Sequence, residues 1–262
     1  MSHKPAVLPV PAATILLLRD GAAGLEVFMV KRHHQIDFSA GALVFPGGKL
    51  ETGDGDAALD AHVDCASDWT APMRALGVGA IREAFEESGI LLARDARTGD
   101  LVSAQRLDAL RPYRHLLEKR EAVLAKVLEK EKMRLALDLL VPFAHWITPT
   151  NMPKRFDTHF FLASSPVGHI GSHDGRESVD SIWITPGEAV SDRKKWNVIF
   201  PTKLNLMKLD KAKTVAAAIA AARADTVLAV TPWVENGPEG QILKIRDDAG
   251  YTQTSANMRD AM

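Results

Sequence analysis

Hydrophobic positions along this chain fall into short runs that are bounded by turn-forming residues. Ala13–Leu18 and Glu26–Lys31 lie on either side of Asp20-Gly21, a pattern that predicts two strands joined by a loop. Leu43–Phe45 is a shorter apolar run that leads into a Pro-Gly-Gly turn. Apolar and aromatic content predicts further strands at Ala144–Ile147, Arg155–Ala163 and Val179–Ile184, and a terminal hairpin at Gln241–Ile245 and Tyr251–Thr254.

Other segments place apolar residues at helical spacing. Met73–Ser88 is followed by Gly89, a residue suited to end a helix, and Thr185-Pro186 is typical of a helix start. Val102–Leu140 is long and charged, and we interpret it as one or two helices packed beside the core, with a lid or a dimer contact as alternatives. Further helices are predicted at Thr202–Leu209 and Lys211–Ala224.

Strands and helices therefore alternate without a regular βαβ repeat. This order predicts a mixed α/β fold in which a mixed sheet lies between helical layers. The sequence contains no internal repeat and no low-complexity linker, so we expect one domain over residues 1–262.

Composition restricts the classes of function. The 32 basic and 33 acidic residues nearly cancel, which disfavours a nucleic acid polymer as partner. A single cysteine, Cys65, allows no internal disulfide and fits a reducing compartment. The chain shows neither a signal peptide nor an apolar stretch of the ~20 residues that a membrane span needs, so we expect a cytoplasmic protein without membrane contact.

The strongest chemical signal is the run from Gly79 to Ile90, which contains three glutamates and an arginine. On a helix, Glu83, Glu86 and Glu87 project from one side, where their like charges repel. Arg82 neutralises only part of that charge. A hard divalent cation would neutralise the rest, and oxygen ligands favour Mg²⁺ or Mn²⁺ over zinc. The alternative is a solvated acidic face.

A glycine-rich turn upstream favours the metal hypothesis. Phe45-Pro46-Gly47-Gly48 ends an apolar run and lets the backbone approach a ligand closely. Together with the Arg82-Glu83-x-x-Glu86-Glu87-x-Gly89-Ile90 pattern, this turn resembles the signature of the Nudix hydrolases, which cleave nucleoside diphosphates linked to another group.

The resemblance implies a Nudix-type α/β/α sandwich with a mixed sheet and an added helical insertion. It also implies that Glu83, Glu86, Glu87 and the carbonyl of Gly48 bind Mg²⁺ or Mn²⁺, with Arg82 orienting a glutamate. Glu86 has a second candidate role, which is to help deprotonate the attacking water. In this interpretation all three glutamates and Arg82 belong to the catalytic set.

The chain departs from the family pattern within the signature. Asp54 stands where the family has a glutamate, and the seven-residue spacer becomes the 27 residues Gly55–Ile81, an insertion of twenty. Such growth costs little free energy, because the entropy of closing a loop rises only slowly with its length. We place this insertion at 55–72 and expect a second, helical insertion at 102–140. Asp54 and Glu51 are candidates for pairing with Arg82. Acidic residues at every fourth position of the insertion predict a solvated helical stripe, with a metal-binding face as the alternative: Asp56, Asp60, Asp64 and Asp68.

A long insertion at this point resembles the branch that includes the peroxisomal coenzyme A diphosphatase. We therefore expect a small nucleotide substrate, coenzyme A or acyl-coenzyme A, cleaved to 3′,5′-ADP and (acyl-)4′-phosphopantetheine. Asp37 stands where the coenzyme A signature of other Nudix enzymes has an arginine. The alternatives are ADP-ribose, a dinucleotide or a nucleotide sugar as substrate, or a nucleotide sensor without catalysis.

Substrate contacts are predicted from charge alone. Arg32, Lys49 and Arg155 are candidates for phosphate binding, against a structural or solvated role for each. Glu177 is the candidate for a further acidic residue from a later loop, with Asp174 as the second choice.

Overall fold

The architecture is built around one mixed β-sheet. A computed structural model of the chain describes residues 7–32, 41–65, 68–175, 178–192, 195–238 and 240–261. The fourteen strands within these ranges are β1 Val10–Gly21, β2 Gly24–Arg32, β3 Leu43–Val44, β4 Gly47–Lys49, β5 Val63–Asp64, β6 Ala93–Asp95, β7 Met133–Ala136, β8 Val141–Ile147, β9 Phe156–Ser164, β10 Ser178–Ile184, β11 Ala229–Val230, β12 Trp233–Gly237, β13 Gly240–Lys244 and β14 Ser255–Asn257.

Eight of these strands form the central sheet. Its order is β10-β2-β1-β9-β8-β11, with β3 paired to β2 and β4 paired to β1. The pairs β1–β9 and β8–β11 are parallel, whereas β1–β2, β2–β10 and β8–β9 are antiparallel. The predicted mixed sheet is confirmed, and the long strand β1 lies in its middle.

Helices cover both faces of this sheet. In β1, Ile15 and Leu17 face one apolar core while Leu16 and Leu18 face another, as the alternation of a strand requires. The first core includes α1, α2 and α3, and the second includes α4, α5 and α6. The described helices are α1 Ala71–Ser88, α2 Ala104–Glu118, α3 Leu124–Glu131, α4 Pro186–Ser191, α5 Phe200–Leu209, α6 Val215–Ala224 and α7 Met258–Ala261. The three layers confirm the predicted α/β/α sandwich.

The signature helix α1 follows its local sequence closely. The Thr70 side chain accepts a hydrogen bond from the Met73 amide at the start, and Gly89 ends the helix with a left-handed φ of 70°. The predicted end of the helix is confirmed. Its start lies two residues before the predicted one, because Ala71 and Pro72 suit a first helical turn.

The prediction of one or two helices over 102–140 agrees with α2 and α3 but is wrong from Lys132 onward. Lys132 adopts a positive φ of 52° and ends α3, and β7 follows. The strand forms because its backbone pairs with β5 and β6 in a second sheet. These tertiary hydrogen bonds outweigh the helical spacing of the sequence.

The helical stripe predicted for the 55–72 insertion is also wrong. A 3₁₀ turn at Thr52–Gly55 leads into it, and its described part contains a second 3₁₀ turn at Ala57–His62, followed by β5. The aspartates have separate roles: Asp56 accepts a hydrogen bond from the Ala58 amide, and Asp64 pairs with Arg134 at 2.6 Å.

The C-terminal prediction is correct in outline only. The strand β13 pairs with both β12 and β14, so the hairpin exists, but Tyr251–Thr254 precedes the strand. Tyr251 is instead buried against the second core. Its hydroxyl donates to Asn205 Oδ1 at 2.7 Å and accepts from Trp146 Nε1 at 2.9 Å.

Among the described residues, no helix combines the length and apolar character that crossing a membrane requires.

The buried tyrosine generates a stability prediction. Burial raises the pKa of Tyr251 well above its ordinary value of 10.0, and the charge of Asp225 adds to the rise. Above pH 10 the unfolded chain releases this proton while the folded chain keeps it, so the free energy of unfolding should fall as pH rises. Tyr251→Phe should lower the free energy of unfolding by about 1–3 kcal/mol at neutral pH, because it leaves buried partners of the hydroxyl unsatisfied. At alkaline pH the free energy of unfolding of this variant should fall less steeply with pH than that of wild type.

Urea unfolding of wild type and Tyr251→Phe at neutral and alkaline pH measures both the loss of stability and its dependence on pH. Parallel curves above pH 10 would contradict the assigned role of the Tyr251 phenol.

Candidate active site

The glycine-rich turn packs directly against the carboxylates of α1. Strand β4 pairs with Ala12–Thr14 of β1, which fixes the turn at the sheet. The Gly47 amide donates to Glu87 Oε2 at 3.0 Å. A Cβ atom built on Gly48 would lie 2.4 Å from Glu83 Oε1, so a larger residue there would push the Glu83 carboxylate aside. The turn and the helix therefore form one wall of a site.

Arg82 holds this wall together from inside the protein. Its guanidinium makes two hydrogen bonds to Asp54, Nε–Oδ1 at 2.9 Å and Nη2–Oδ2 at 3.0 Å. It also donates to Glu83 at 2.8 Å, to Glu86 at 3.3 Å and to the Lys49 carbonyl at 3.0 Å. The side chains of Arg82 and Asp54 are only 5% and 2% exposed. The expected pairing of Asp54 with Arg82 is what the structure shows.

Charges in this cluster are strongly coupled. Burial by itself lowers the pKa of Arg82, but the hydrogen bond to Asp54 and the nearby carboxylates outweigh it and raise that pKa. Burial raises the pKa of Glu86 to about 7, with the Arg82 charge opposing the rise and the Glu83 charge adding to it. The cluster thus contains more carboxylate than Arg82 can balance, which favours a bound cation.

The donor set fits a hard divalent cation. Glu83, Glu86 and Glu87 all line one cavity, as does Gly48, and the only ligand atoms they offer are oxygens. Oxygen donors suit Mg²⁺ or Mn²⁺, and the missing Cβ at Gly48 lets main chain and carboxylates come close.

The cavity beside the carboxylates has a volume of about 480 Å³. Two strands of the central sheet line it with side chains from one face: β1 contributes Thr14, and β9 contributes Phe156, Thr158 and Phe160. Positive charge lines it at Arg32, Lys49 and Arg120. Acidic and basic groups around an apolar floor suit a ligand with an anionic centre and apolar parts.

Two of the three predicted phosphate ligands lie at this cavity. Arg32 and Lys49 are lining residues, and Arg32 Nε is buried with no hydrogen-bond partner in the described part of the chain. Arg155 is a correction, because it is not among the lining residues. Its guanidinium donates to the carbonyls of Thr148 and Val7, at 3.0 and 2.6 Å, and so holds backbone segments together.

The predicted additional acidic residue, Glu177, lies outside the described residues. Asp174, the second choice, lines the cavity, and its Oδ1 accepts a hydrogen bond from the Ser178 amide at 3.0 Å. This bond fixes Asp174 next to the first residue of β10.

Sequence reasoning missed two cavity residues at the C-terminal end of α2. Glu118 and Arg120 line the cavity, and Arg120 pairs with Glu51 at 2.7 Å. Arg120 has a positive φ of 57°, which turns the chain back after α2. The sequence signal was ambiguous, since the charged cluster around Glu118 is equally typical of an exposed helical face.

Arg114 was also missed, although it connects three parts of the site. Its Nε donates to the Glu86 carbonyl at 2.8 Å, at the C-terminal end of α1. Its Nη2 donates to the Ser172 carbonyl at 2.8 Å, in the loop that leads to Asp174. Arg114 therefore ties α2 to the signature helix and to this loop.

The buried ion pair gives a second stability prediction. Asp54→Ala removes the two hydrogen bonds that Asp54 makes with Arg82, and losing one partner of a buried pair costs about 3 kcal/mol. Asp60→Ala is the matched control, because Asp60 pairs with Arg74 on the surface, where the loss is below about 1 kcal/mol. Urea unfolding measures both variants, and equal losses would contradict the central role of Asp54.

The comparisons with known proteins agree with this geometry. The NUDT19 Nudix domain family matches residues 61–204. The chain is 26% identical over 222 residues to the acyl-coenzyme A diphosphatase NUDT19 of Xenopus laevis, covering 70% of this chain and 58% of that protein. A relative from Caenorhabditis elegans that carries the name nudix hydrolase 7 is 26% identical over 167 residues, covering 64% of this chain and 49% of that protein. The chain thus spans about half the length of the curated relatives it matches.

A solved structure extends the likeness to the fold. The crystal structure of a NUDIX hydrolase from Alicyclobacillus acidocaldarius superposes with a TM-score of 0.70 at 26% identity, covering 82% of this chain and 96% of that chain. The family match covers more than half of the 262 residues and includes the signature helix α1 with its three glutamates. The chain belongs to the Nudix hydrolase family.

Proposed function

We propose that this protein hydrolyses the phosphoanhydride bond of coenzyme A or acyl-coenzyme A with Mg²⁺ or Mn²⁺. The products would be 3′,5′-ADP and (acyl-)4′-phosphopantetheine. The observation that carries the proposal is the cavity in which Glu83, Glu86 and Glu87 face Arg32, Lys49 and Arg120. The named activity of the Xenopus laevis relative supports the choice of substrate.

Each group at the cation site has a proposed role. Glu83, Glu86, Glu87 and the Gly48 carbonyl would hold the cation, which when bound neutralises charge on the phosphoryl oxygens and makes water a better nucleophile. Arg82 orients Glu83 and Glu86 through its hydrogen bonds. The Gly47 amide orients Glu87 in the same way.

Hydrolysis also needs a proton acceptor and charge balance at the substrate. Water attacks one phosphorus, its proton passes to a carboxylate, and the bond to the leaving phosphate oxygen breaks. Glu86 and Asp174 are the candidate acceptors, since both line the cavity. Lys49 would contact the phosphates through the compact charge of its ammonium group, and Arg120 would contact them through the paired N–H donors of its planar guanidinium.

The cavity suits part of such a substrate. Its volume of about 480 Å³ lies in the usual range of small-molecule sites, and Phe156 and Phe160 offer an apolar surface beside the charges. Asp37 lies outside the described residues. ADP-ribose, a dinucleotide or a nucleotide sugar would need the same cation site, so these substrates are alternatives that the substrate test separates. The cytoplasmic location, the 1–262 domain and the homodimer stay predictions from the sequence.

Glutamine substitutions test the proposed cation ligands. Glu86→Gln and Glu87→Gln should each lower kcat by at least about 100-fold, because an interaction that stabilises the transition state is lost. Glu129→Gln is the matched control, since Glu129 pairs with Lys126 on an exposed face of α3 and should keep full activity. Circular dichroism and thermal melting check folding. Near-normal kcat in both site variants would contradict the assignment.

Product analysis tests the substrate. Purified protein with Mg²⁺ or Mn²⁺ should release 3′,5′-ADP from coenzyme A and acetyl-coenzyme A, and a chelator should abolish the release. ADP-ribose, NADH and diadenosine polyphosphates complete the panel. Cleavage of only one of these would support the hydrolase activity but contradict coenzyme A as the substrate. Tight nucleotide binding without turnover in either metal would instead support the sensor.

A further inference from the structure

A second cluster of metal-binding residue types lies on strands β8 and β9. His145 of β8 lies directly opposite His159 of β9, and Asp157 precedes His159 by two residues on the same strand. Side chains two residues apart on a strand point to the same face, and directly opposed residues on paired strands are neighbours. The three side chains therefore converge by the geometry of the sheet itself.

Their atoms already lie close together. His145 Nε2 hydrogen-bonds Asp157 Oδ1, and His159 Nε2 lies 3.9 Å from the same oxygen. The two imidazole rings stack with centroids 3.9 Å apart. One ligand atom from each of the three residues lies within 4.8 Å of the other two. Tetrahedral zinc with bonds of about 2.0–2.2 Å needs ligand atoms roughly 3.3 Å apart, so small side-chain rotations suffice.

The cluster is separate from the hydrolytic cavity. Phe156, Thr158 and Phe160 line that cavity, so Asp157 and His159 point to the opposite face of the strand. The side chains of His145, Asp157 and His159 are 19%, 34% and 23% exposed, which leaves an ion a path from solvent.

The donor chemistry also differs between the two places. Two imidazole nitrogens and one carboxylate oxygen suit a borderline-soft ion such as Zn²⁺, whereas the oxygen-only donors of α1 suit Mg²⁺. Three protein ligands leave a fourth position for water or another small ligand.

We propose that His145, Asp157 and His159 form a Zn²⁺-binding site on the face of the β8–β9 pair opposite the substrate cavity. The ion would cross-link β8 to β9, the strand whose other face supplies Phe156, Thr158 and Phe160 to the floor of that cavity. The proposal does not depend on the substrate, because its ligands take no part in the hydrolytic site.

Metal binding to the full chain tests this site. Excess Mg²⁺ occupies the hard-cation site, and titration with Zn²⁺ by calorimetry then measures the remaining binding. Co²⁺ serves as the spectroscopic probe, because nitrogen-containing four-coordinate sites absorb far more strongly in the visible than six-coordinate oxygen sites. We expect one equivalent of Zn²⁺ and an intense Co²⁺ spectrum in wild type.

Ligand variants assign the signal to the cluster. His145→Ala, His159→Ala and Asp157→Asn should each weaken Zn²⁺ binding by more than about 10-fold and remove the Co²⁺ bands. His62→Ala, which changes a histidine in another element, should leave both unchanged. Circular dichroism confirms that each variant folds, and His145→Gln repeats the test should His145→Ala fail to fold.

Two results would overturn the proposal. One is the absence of Zn²⁺ binding by wild type in excess Mg²⁺, which would leave a hydrogen-bonded His–Asp pair with a structural role only. The other is Zn²⁺ binding that persists in folded variants of all three ligands. Glu87→Gln should bind Zn²⁺ like wild type, so failure of the hydrolase proposal and failure of the zinc proposal give different results.

Discussion

The buried guanidinium of Arg82 is the interaction on which the site depends. A charge that is only 5% exposed is costly to remove from water, and it persists because Asp54 binds it with two hydrogen bonds. The remaining donors reach Glu83, Glu86 and the Lys49 carbonyl. One side chain thus joins the 3₁₀ turn Thr52–Gly55, the glycine-rich turn and the signature helix, and it orients two of the proposed cation ligands.

The rest of the architecture gives that cluster a rigid support. Strand β1 pairs with β4 along the turn and packs on α1 through alternate residues, so the turn and the helix cannot move independently. Arg114 adds a second tie, from α2 to the end of α1 and to the loop before Asp174. Residues far apart in the chain are therefore held together along one wall of the cavity.

The end of α2 also contributes to the cavity. The C-terminal end of α2 brings Glu118 and Arg120 to its edge, and the ion pair of Arg120 with Glu51 connects that edge to the chain just after the glycine-rich turn. An arginine that starts from a surface ion pair can exchange its partner for a phosphate at low cost, because exposed pairs contribute little stability. In the proposed function, substrate contacts and cation ligands thus come from different parts of the chain.

The sequence by itself determined what depends on neighbours along the chain. The cap at Thr70, the end at Gly89 and the grouping of three glutamates on one side of α1 follow from helical geometry, and the two-residue period of β1 follows from strand geometry. Tertiary structure decided what depends on distant partners. It made β7 a strand through its pairing with β5 and β6, and it gave Arg155 a structural role. Charge and periodicity cannot predict such outcomes, because each depends on which groups the folded chain brings within hydrogen-bond distance.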